Sequence, residues 1–327
     1  MSRDGLSFVS NTLNGGRNIA STLTLGPDQV WRQLPLPVAE APQETMTTCS
    51  SGISSGSRIS ADGKTVTGIA YVDTNGPATG QTCKARPFVW TAEGGSTLLP
   101  VRVSVKNSRT NGVSNDRSTI VGWHDTFGQR QAVRWIDGEF AKFSTPNFPV
   151  GEGMYVTPDG RMITGGNAGT IQNPWKWTRE GGLVQMGRVA PYFSAYALSA
   201  SDDGKVIGGL GGSRSQFAGD AGGQRAFLWT QELGSVDFEE FLQAQGTFFE
   251  GWVLYSNVSM SANGTIQAGS GAGLRGGAGW MIDMTNVNIC HAPPGNLRNT
   301  QSISVPFVNS MADHLKHGDT IGYCAGS

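Results

Sequence analysis

The sequence predicts an all-β protein, a β-propeller of about six four-stranded blades with a small C-terminal Cys/His appendage. Two elements, a Ser-x-Asp-Gly-like turn and an aromatic strand, recur in the same order at least five times. Composition agrees, because 47 of the 327 residues are glycine, 15 are proline and only 15% are charged. Glycine at this level, separated by apolar runs, is typical of a turn-rich β protein.

The first recurring element is a hairpin turn. Most copies precede a β-branched run that ends in glycine, such as Thr65-Val66-Thr67-Gly68. Asp-Gly and Asn-Gly between such runs are strong hairpin signals, because the turn positions need positive φ. The copies are Ser2-Arg3-Asp4-Gly5, Ser60-Ala61-Asp62-Gly63, Ser114-Asn115-Asp116-Arg117, Thr157-Pro158-Asp159-Gly160, Ser201-Asp202-Asp203-Gly204 and Ser261-Ala262-Asn263-Gly264.

The second recurring element carries two bulky residues at i and i+2, which point to the same face of a strand. The residue between them is arginine or lysine in two copies, so we expect the opposite face to be wet there. A turn and a last apolar strand follow. The copies are Pro87-Phe88-Val89-Trp90, Ala132-Val133-Arg134-Trp135, Pro174-Trp175-Lys176-Trp177, Ala226-Phe227-Leu228-Trp229 and Gly279-Trp280-Met281-Ile282.

Together the two elements make four antiparallel strands in each period of about 43–60 residues, which is typical of a propeller blade. One blade cannot cover its aromatic face, so we expect the next blade to cover it. The period varies in the loop between the second and third strands, where residues 213–224 are rich in glycine. The sequence thus predicts a propeller over residues 1–284 and a separate segment over residues 285–327.

The repeat pattern is open at both ends. The first repeat lacks most of its opening strand, and the last repeat ends after its third strand at Asp283. Because proteins normally cover sheet edges, three solutions are open. The ends complete one shared blade, the stretch Ser302-Ile303-Ser304-Val305 folds back, or a neighbouring subunit donates a strand.

Charge and cysteine content bound the function. The formal net charge is −1, so nucleic acid has no electrostatic support as a partner, and no apolar run approaches the ~20 residues that span a bilayer. Cys49 with Cys83 and Cys290 with Cys324 form two local pairs. Two disulfides in an oxidising compartment are the favoured interpretation, and free thiols in a cytosolic protein are the alternative. No signal peptide opens the chain, so we expect it to precede Met1 in the full protein.

The stretch from Ile59 to Leu99, with its Ser-Ala-Asp-Gly turn and Pro-Phe-Val-Trp strand, resembles the HAF-type extracellular repeats of bacterial secreted proteins. The resemblance covers residues 1–284. It implies a propeller and an extracellular or cell-surface protein, and it implies no particular activity. The turn also resembles the Asp-box of sialidases, but its spacing differs.

The C-terminal segment holds three of the four histidines. Ser310 could cap a short helix ending at Gly318, so that His314 and His317 share one face. A disulfide from Cys290 to Cys324 would bring His291 close to them. Three imidazoles with Asp319 or Asp313 would suit zinc or copper. Solvated histidines on a disulfide-capped tail, and a Cys₂His₂ zinc set, are the alternatives.

This segment resembles a tail found on various secreted bacterial proteins, with Cys-His-x-Pro-Pro-Gly-Asn, then His-Leu-x-His-Gly-Asp and a closing Cys. Leu297 and Gln301 depart from that pattern, and the second departure removes a histidine. The resemblance implies no established activity. We expect no haem, because Cys290-His291 lacks the first cysteine of a CxxCH motif.

Catalytic signals are weak. Outside the tail the one histidine is His124, which we expect to be packed or in a loop, and no nucleophile elbow, Walker loop or HExxH is present. The Asp-Gly turns could bind calcium, although none has a full set of oxygen ligands. The sequence therefore favours a secreted binding or structural protein. Its expected partner is a surface glycan, another protein, or a second copy of itself in a filament. A polysaccharide-active hydrolase or lyase is the alternative, and would need carboxylates such as Asp202, Asp203, Glu239 and Glu240 to converge.

Overall fold

The computed structural model describes the chain except residues 39–43, 48, 50–51, 75–82, 102–106, 127–128, 144–149, 168–172, 188–193, 213–222, 274–275, 295, 297–298 and 325–327. Most of the predicted variable loop, 213–224, therefore lies outside the described residues, as do Gly295 and Leu297 of the tail. The chain forms two compact units. One contains residues 1–169 and 177–183, and the other contains residues 170–176 and 184–327.

The described residues form antiparallel strands and two short helices. In the first repeats the strands are β1 (Ser7–Asn14), β2 (Arg17–Thr24), β3 (Arg32–Gln33), β4 (Glu44–Met46), β5 (Ser54–Ile59), β6 (Thr65–Thr74), β7 (Cys83–Thr91), β8 (Gly95–Leu98), β9 (Ser108–Val113), β10 (Thr119–Thr126), β11 (Gln129–Ile136), β12 (Glu139–Lys142), β13 (Val150–Val156) and β14 (Met162–Asn167).

The remaining elements follow in the same repeating order. They are β15 (Pro174–Thr178), β16 (Gly182–Gln185), β17 (Ser194–Ala200), β18 (Ile207–Gly212), β19 (Gln224–Thr230), β20 (Gly234–Asp237), α1 (Phe238–Ala244), β21 (Val253–Met260), β22 (Ile266–Gly273), β23 (Gly276–Asp283), β24 (Asn286–His291), β25 (Gln301–Pro306), α2 (Met311–Lys316) and β26 (Thr320–Ile321). Neither helix in the described part of the chain has the length and apolar character to cross a membrane.

Three sheets have the predicted four strands in sequence order: β9 to β12, β13 to β16 and β17 to β20. The second sheet has five strands. Its β6 pairs with β5 along one half of its length and with β4 along the other half, and β7 and β8 follow on the opposite side. The sheets β1-β2-β3 and β21-β22-β23 have three strands each. In the described residues the first repeat thus lacks its opening strand and the last repeat lacks its closing strand, as predicted.

All six turn copies share one hydrogen-bond pattern. In the third, the Ser114 hydroxyl donates to Asp116 Oδ1 over 2.7 Å, and the Ser118 amide donates to the same oxygen. The Thr119 amide donates back to Ser114 Oγ. A hydroxyl and a carboxylate therefore satisfy the backbone donors of a tight turn, which is why Ser/Thr and Asp/Asn recur there.

The glycine that ends each β-branched run lies at an irregularity in the sheet. The pairing of β10 with β9 shifts register between Val121 and Gly122. A Cβ on Gly122 would overlap the Arg109 carbonyl, and one on Gly68 would lie 2.9 Å from the Phe88 ring. Glycine is required here because a backbone carbonyl and an aromatic ring both approach closely.

Neighbouring sheets cover each other's aromatic residues. Phe88 and Trp135 are 1% and 0% exposed, and each belongs to a cluster built from two consecutive sheets. The cluster between the first two sheets contains Ala20, Leu34, Ile59, Val66, Ala70 and Phe88. The cluster between the next two contains Leu99, Val113, Ile120, Val133 and Trp135. This stacking confirms the expectation that one unit shields the next.

Arg134 and Lys176, on the face expected to be wet, are half-buried. The Arg134 guanidinium lies 4.3 Å from the ring centroid of Trp177, and the Lys176 ammonium lies 4.1 Å from that of Trp229. Burial lowers the pKa of both side chains. Each cation therefore packs on the indole of the following repeat. The sequence pattern could not predict this contact, because the two residues are far apart along the chain.

Candidate metal centre

The C-terminal segment folds as a small sheet with one helix. The strand order is β25-β24-β26, so Ser302–Val305 pairs with β24. The expectation that Ser302–Val305 folds back to complete the last repeat is therefore wrong, because this stretch pairs with β24 and not with β23. The disulfide between Cys290 and Cys324 connects β24 to the residues after β26, with a Cα separation of 4.7 Å.

The segment is packed into a larger apolar cluster of the second unit. Its buried members from the tail are Val287, Ile289, Val305, Phe307 and Met311, and its other members come from α1, from the sheets β17–β20 and β21–β23 and from Met284, which precedes the tail. Ile289 is fully buried. The backbone that carries the histidines is therefore held by a core and by a disulfide.

Local sequence explains how the chain reverses direction at the end of α2. Ser310 occupies the N-cap position, as expected, but its side chain makes no capping hydrogen bond. The helix ends at Lys316, and Gly318 adopts a φ of +92°, which suits glycine. The Asp319 amide donates to the His314 carbonyl over 3.2 Å. This reversal places the Asp319 side chain beside the helix residue five positions earlier.

Asp319 lies between two histidines. Its Oδ2 is 2.7 Å from Nδ1 of His291 and 2.7 Å from Nδ1 of His314. Its Oδ1 accepts from the Ala292 amide over 2.9 Å. The Asp319 side chain is 0% exposed, whereas those of His291 and His314 are 29% and 23% exposed. A buried carboxylate is thus flanked by two imidazoles that reach solvent.

The electrostatics of this group favour an ionised aspartate. Burial alone would raise the pKa of Asp319, but hydrogen bonds from His291, from the Ala292 amide and from His314 outweigh it and lower the pKa to about 2. An ionised carboxylate only accepts, so each Nδ1 is the donor. Both rings therefore direct their Nδ1–H at the same carboxylate oxygen.

The three side chains offer ligand atoms within 4.8 Å of one another. Among the described residues this is the one group of three or more His, Cys, Asp or Glu side chains that could hold a metal ion. The imidazole rings meet edge to face with centroids 5.3 Å apart. The triad could therefore hold a metal by its Nδ1 and carboxylate atoms, with each ring proton moved to Nε2.

The other predicted ligands lie elsewhere. His317, at the C-cap of α2, is exposed and outside the triad. Asp313 is exposed and lies 3.3 Å from the Lys316 ammonium. Cys290 and Cys324 form a disulfide, so the Cys₂His₂ alternative is wrong. The second predicted disulfide, Cys49 with Cys83, is also present.

Residues weighed for other chemistry have structural roles. His124 is buried, stacked on Phe140 and 3.3 Å from the Gln131 amide oxygen, which confirms a packed histidine. Asp203 accepts from Ser201 in its turn. Glu239 lies 3.8 Å from Arg225, at the start of α1. In each turn aspartate the hydroxyl and amide contacts use one carboxylate oxygen, Oδ1. Calcium binding by these turns stays a prediction.

One polar cluster had no signal in the sequence. Glu152 is buried and forms ion pairs with Arg109 and Arg130, both of which stack on Trp123. Glu152 belongs to β13, whereas the other three belong to the preceding sheet. Sequence reasoning missed the cluster because its members come together only when consecutive sheets stack.

Comparisons with known proteins bear on the fold. No protein-family model matches the chain, and no curated protein matches it. Among solved structures, TolB from Acinetobacter baumannii is 10% identical with a TM-score of 0.50, over 86% of this chain and 62% of that one. A prolyl endopeptidase is 11% identical with a TM-score of 0.51, over 87% of this chain and 40% of that one.

A third solved structure is the β-propeller domain of the Trilobed protease from Pyrococcus furiosus, 12% identical with a TM-score of 0.43 over 93% of this chain and 94% of that one. The fold class is a β-propeller, as predicted, since antiparallel sheets of the blade type follow one another along the chain. At these identities the likenesses concern the fold alone.

Proposed function

We propose that this chain is an exported binding or structural protein whose C-terminal segment holds one transition-metal ion. The observation that carries the proposal is the His291–Asp319–His314 triad, in which a buried carboxylate and two imidazoles converge. The two disulfides support an oxidising, extracellular or cell-surface location.

The donor set suits zinc or copper. Imidazole nitrogen is a preferred ligand of both ions, with metal–nitrogen distances of about 2.0–2.1 Å, whereas calcium prefers oxygen ligands only. Binding through Nδ1 would replace the two hydrogen bonds to Asp319 Oδ2, and each ring would carry its proton on Nε2 instead. We expect metal affinity to rise with pH, because protons compete with the metal for the imidazole nitrogens.

The experiment is metal titration of the demetallated protein by calorimetry, with elemental analysis of the protein as purified. We expect one zinc or copper ion per chain, and a loss of affinity of about 10- to 100-fold or more in His291→Ala and His314→Ala. His317→Ala is the matched control, because His317 is on the same segment but exposed and outside the triad. Absence of binding, or an equal loss in His317→Ala, would refute the proposal.

Self-association is a second candidate role, favoured by the open last sheet. Within the described residues β23 pairs only with β22, and Met281 on β23 is 77% exposed. An unpaired edge strand with an apolar side chain is suited to strand addition from a second copy, which would give a filament.

Size-exclusion chromatography and negative-stain microscopy of the wild type and of Met281→Lys test this role. Assembly that is lost in Met281→Lys supports it, and a wild type that stays monomeric at all concentrations opposes it. Incubating the wild type and His291→Ala with polysaccharides tests the alternative, a hydrolase or lyase. Cleavage products would support that alternative.

A further inference from the structure

Arg134 and Lys176 follow one packing rule. Each is the middle residue of its aromatic element, and each places its charge on the last aromatic residue of the next repeat. The distances to the ring centroids of Trp177 and Trp229 are 4.3 and 4.1 Å. The indole at this position therefore accepts a cation supplied by a strand of the preceding sheet.

The strand register identifies the equivalent residue in the first repeat. The last residue of the aromatic element pairs with the residue four positions after the turn aspartate, as Trp229 does with Ile207. In the first repeat this pair is Leu23 and Phe8. The middle position is therefore Thr22, and the indole that follows it in the next repeat is Trp90.

Thr22 is too short to cover that indole, and a groove of about 540 Å³ lies in its place. Thr22, Thr24 and Trp90 form part of its wall, and Trp90 is partly exposed. Beside Trp229, a groove of about 520 Å³ has Lys176 in its wall. The two grooves are equivalent in the repeat, but among the described residues a cation of this chain lies on the indole of Trp229 and none lies on that of Trp90.

Charge around the Trp90 groove fits a cationic occupant. Three carboxylates line it, and two cationic side chains also line it, which leaves a net charge of −1. The carboxylates are Asp62, Glu93 and Asp116, and the cations are Lys64 and Arg117. A cation in the groove would thus meet an aromatic face and an excess of acceptors.

We propose that the groove beside Trp90 binds a lysine or arginine side chain of a partner polypeptide. The chain's own examples, Arg134 and Lys176, reach their indoles from a β-strand of the preceding sheet, so the partner residue is expected on an extended segment. This site belongs to the first unit and is independent of the C-terminal metal triad.

The test measures binding of Nα-acetyl-lysine methylamide and Nα-acetyl-arginine methylamide by the NMR shift of the Trp90 indole N–H. Nα-acetyl-norleucine methylamide is the neutral control of similar shape. We expect the cations to bind about 5- to 30-fold more tightly than the neutral control, in the range of a desolvated cation–π contact. Equal binding of the three probes, or no saturable shift, would overturn the proposal.

Two variants assign the site. Thr22→Arg should place a cation of the chain itself on Trp90 and abolish binding, whereas Thr22→Val should leave it unchanged. Lys176→Ala should free the Trp229 indole and raise the number of bound cations from one to two, which tests the packing rule without altering the first repeat. Binding that persists in Thr22→Arg would overturn the proposal. Glucosamine oligomers are tested as a cationic glycan, and the proposal would also be overturned if they bound while the amino-acid probes did not.

Discussion

Gly122 shows how one residue type is fixed by backbone approach. A Cβ at this position would overlap the Arg109 carbonyl of the neighbouring strand. We expect Gly122→Ala to lower the free energy of unfolding by about 2 kcal/mol or more, since the strand must shift to relieve the overlap. Gly26→Ala is the control, because no atom lies within 4 Å of its added Cβ. Urea denaturation measures both, and equal stabilities would contradict the account.

Arg134 shows what a single sequence position cannot reveal. Its guanidinium lies 4.9 Å from the Phe143 ring centroid and 4.3 Å from that of Trp177. We expect Arg134→Ala to cost about 1 kcal/mol, with partial retention in Arg134→Lys. Thermal unfolding of these variants beside Arg32→Ala, an exposed arginine of the first sheet, measures the effect. A cost no larger than that of Arg32→Ala would show that the stack contributes nothing.

At the residue scale, therefore, predictability depends on where the partner lies. The glycine after each β-branched run was visible in the sequence, because its cause lies in the same hairpin. The partners of Arg134 and Lys176 lie in the next repeat, so an apolar/polar pattern alone suggested solvent. The same holds for Glu152, whose arginines come from another sheet.

At the scale of elements, the turn explains the most conspicuous sequence pattern. Ser114 is buried, its hydroxyl donates to Asp116, and it accepts from the Thr119 amide. We expect Ser114→Ala to destabilise by about 1–3 kcal/mol, because the amide is left buried without its partner. Ser114→Thr is the matched control, since Thr157 makes the same contacts in the fourth turn. Chemical denaturation would refute this if the alanine and threonine variants were equally stable.

The turn carboxylates also predict the acid response. Burial would raise the pKa of Asp116, but hydrogen bonds from Ser114 and from the Ser118 amide outweigh it, so its pKa lies below the usual 3.8. Because the folded pKa is the lower one, this carboxylate stabilises the fold above about pH 4, and the contribution is lost as pH falls through the folded pKa. The pKa of Asp203 is lowered in the same direction.

Asp116→Asn isolates this contribution. Asn263 occupies the same position in the sixth turn and accepts from Ser261 over 2.7 Å, so the amide can keep the geometry without the charge. We expect the variant to lose less stability than the wild type between pH 5 and pH 2, with denaturation midpoints followed across that range. An unchanged pH dependence would assign acid sensitivity to other groups.

Helix α1 marks the limit of element prediction. Asp237 caps it, with Oδ1 accepting from the amides of Glu239 and Glu240, and both glutamates lie in the first turn. This cap signal was present in the sequence. The helix has only seven residues, which is too short to impose a helical period on a chain otherwise dominated by alternation.

At the scale of the whole chain, repeats predicted the sheets and their open ends, and the cysteine pairs predicted both disulfides. The C-terminal segment was harder. Its motif indicated histidines held together, and the structure brings His291 and His314 to Asp319 but leaves His317 exposed. Helical spacing favoured His317, which is wrong, whereas Asp319 was also a predicted ligand and reaches both imidazoles through the turn at Gly318, which has a positive φ.

The packing of that segment gives the last prediction. Phe307 is 1% exposed and meets Phe241 of α1 edge to face, with ring centroids 6.1 Å apart. We expect Phe307→Ala to destabilise the second unit by about 3–5 kcal/mol, because the cavity opens in a cluster shared by the tail, α1 and two sheets. Phe248→Ala is the control, since that ring is 75% exposed.

Hydrogen exchange distinguishes a shared core from an appendage that unfolds alone. If the core is shared, Phe307→Ala should accelerate exchange of the amides of α1 and β21 together with those of β24, by the same factor. If the tail were an independent appendage, only the amides of β24 to β26 would exchange faster, and α1 would be unchanged. A shared response would also mean that metal binding at His291 and His314 stabilises the sheets beside the tail, because the ligand would bind the folded state of the whole cluster.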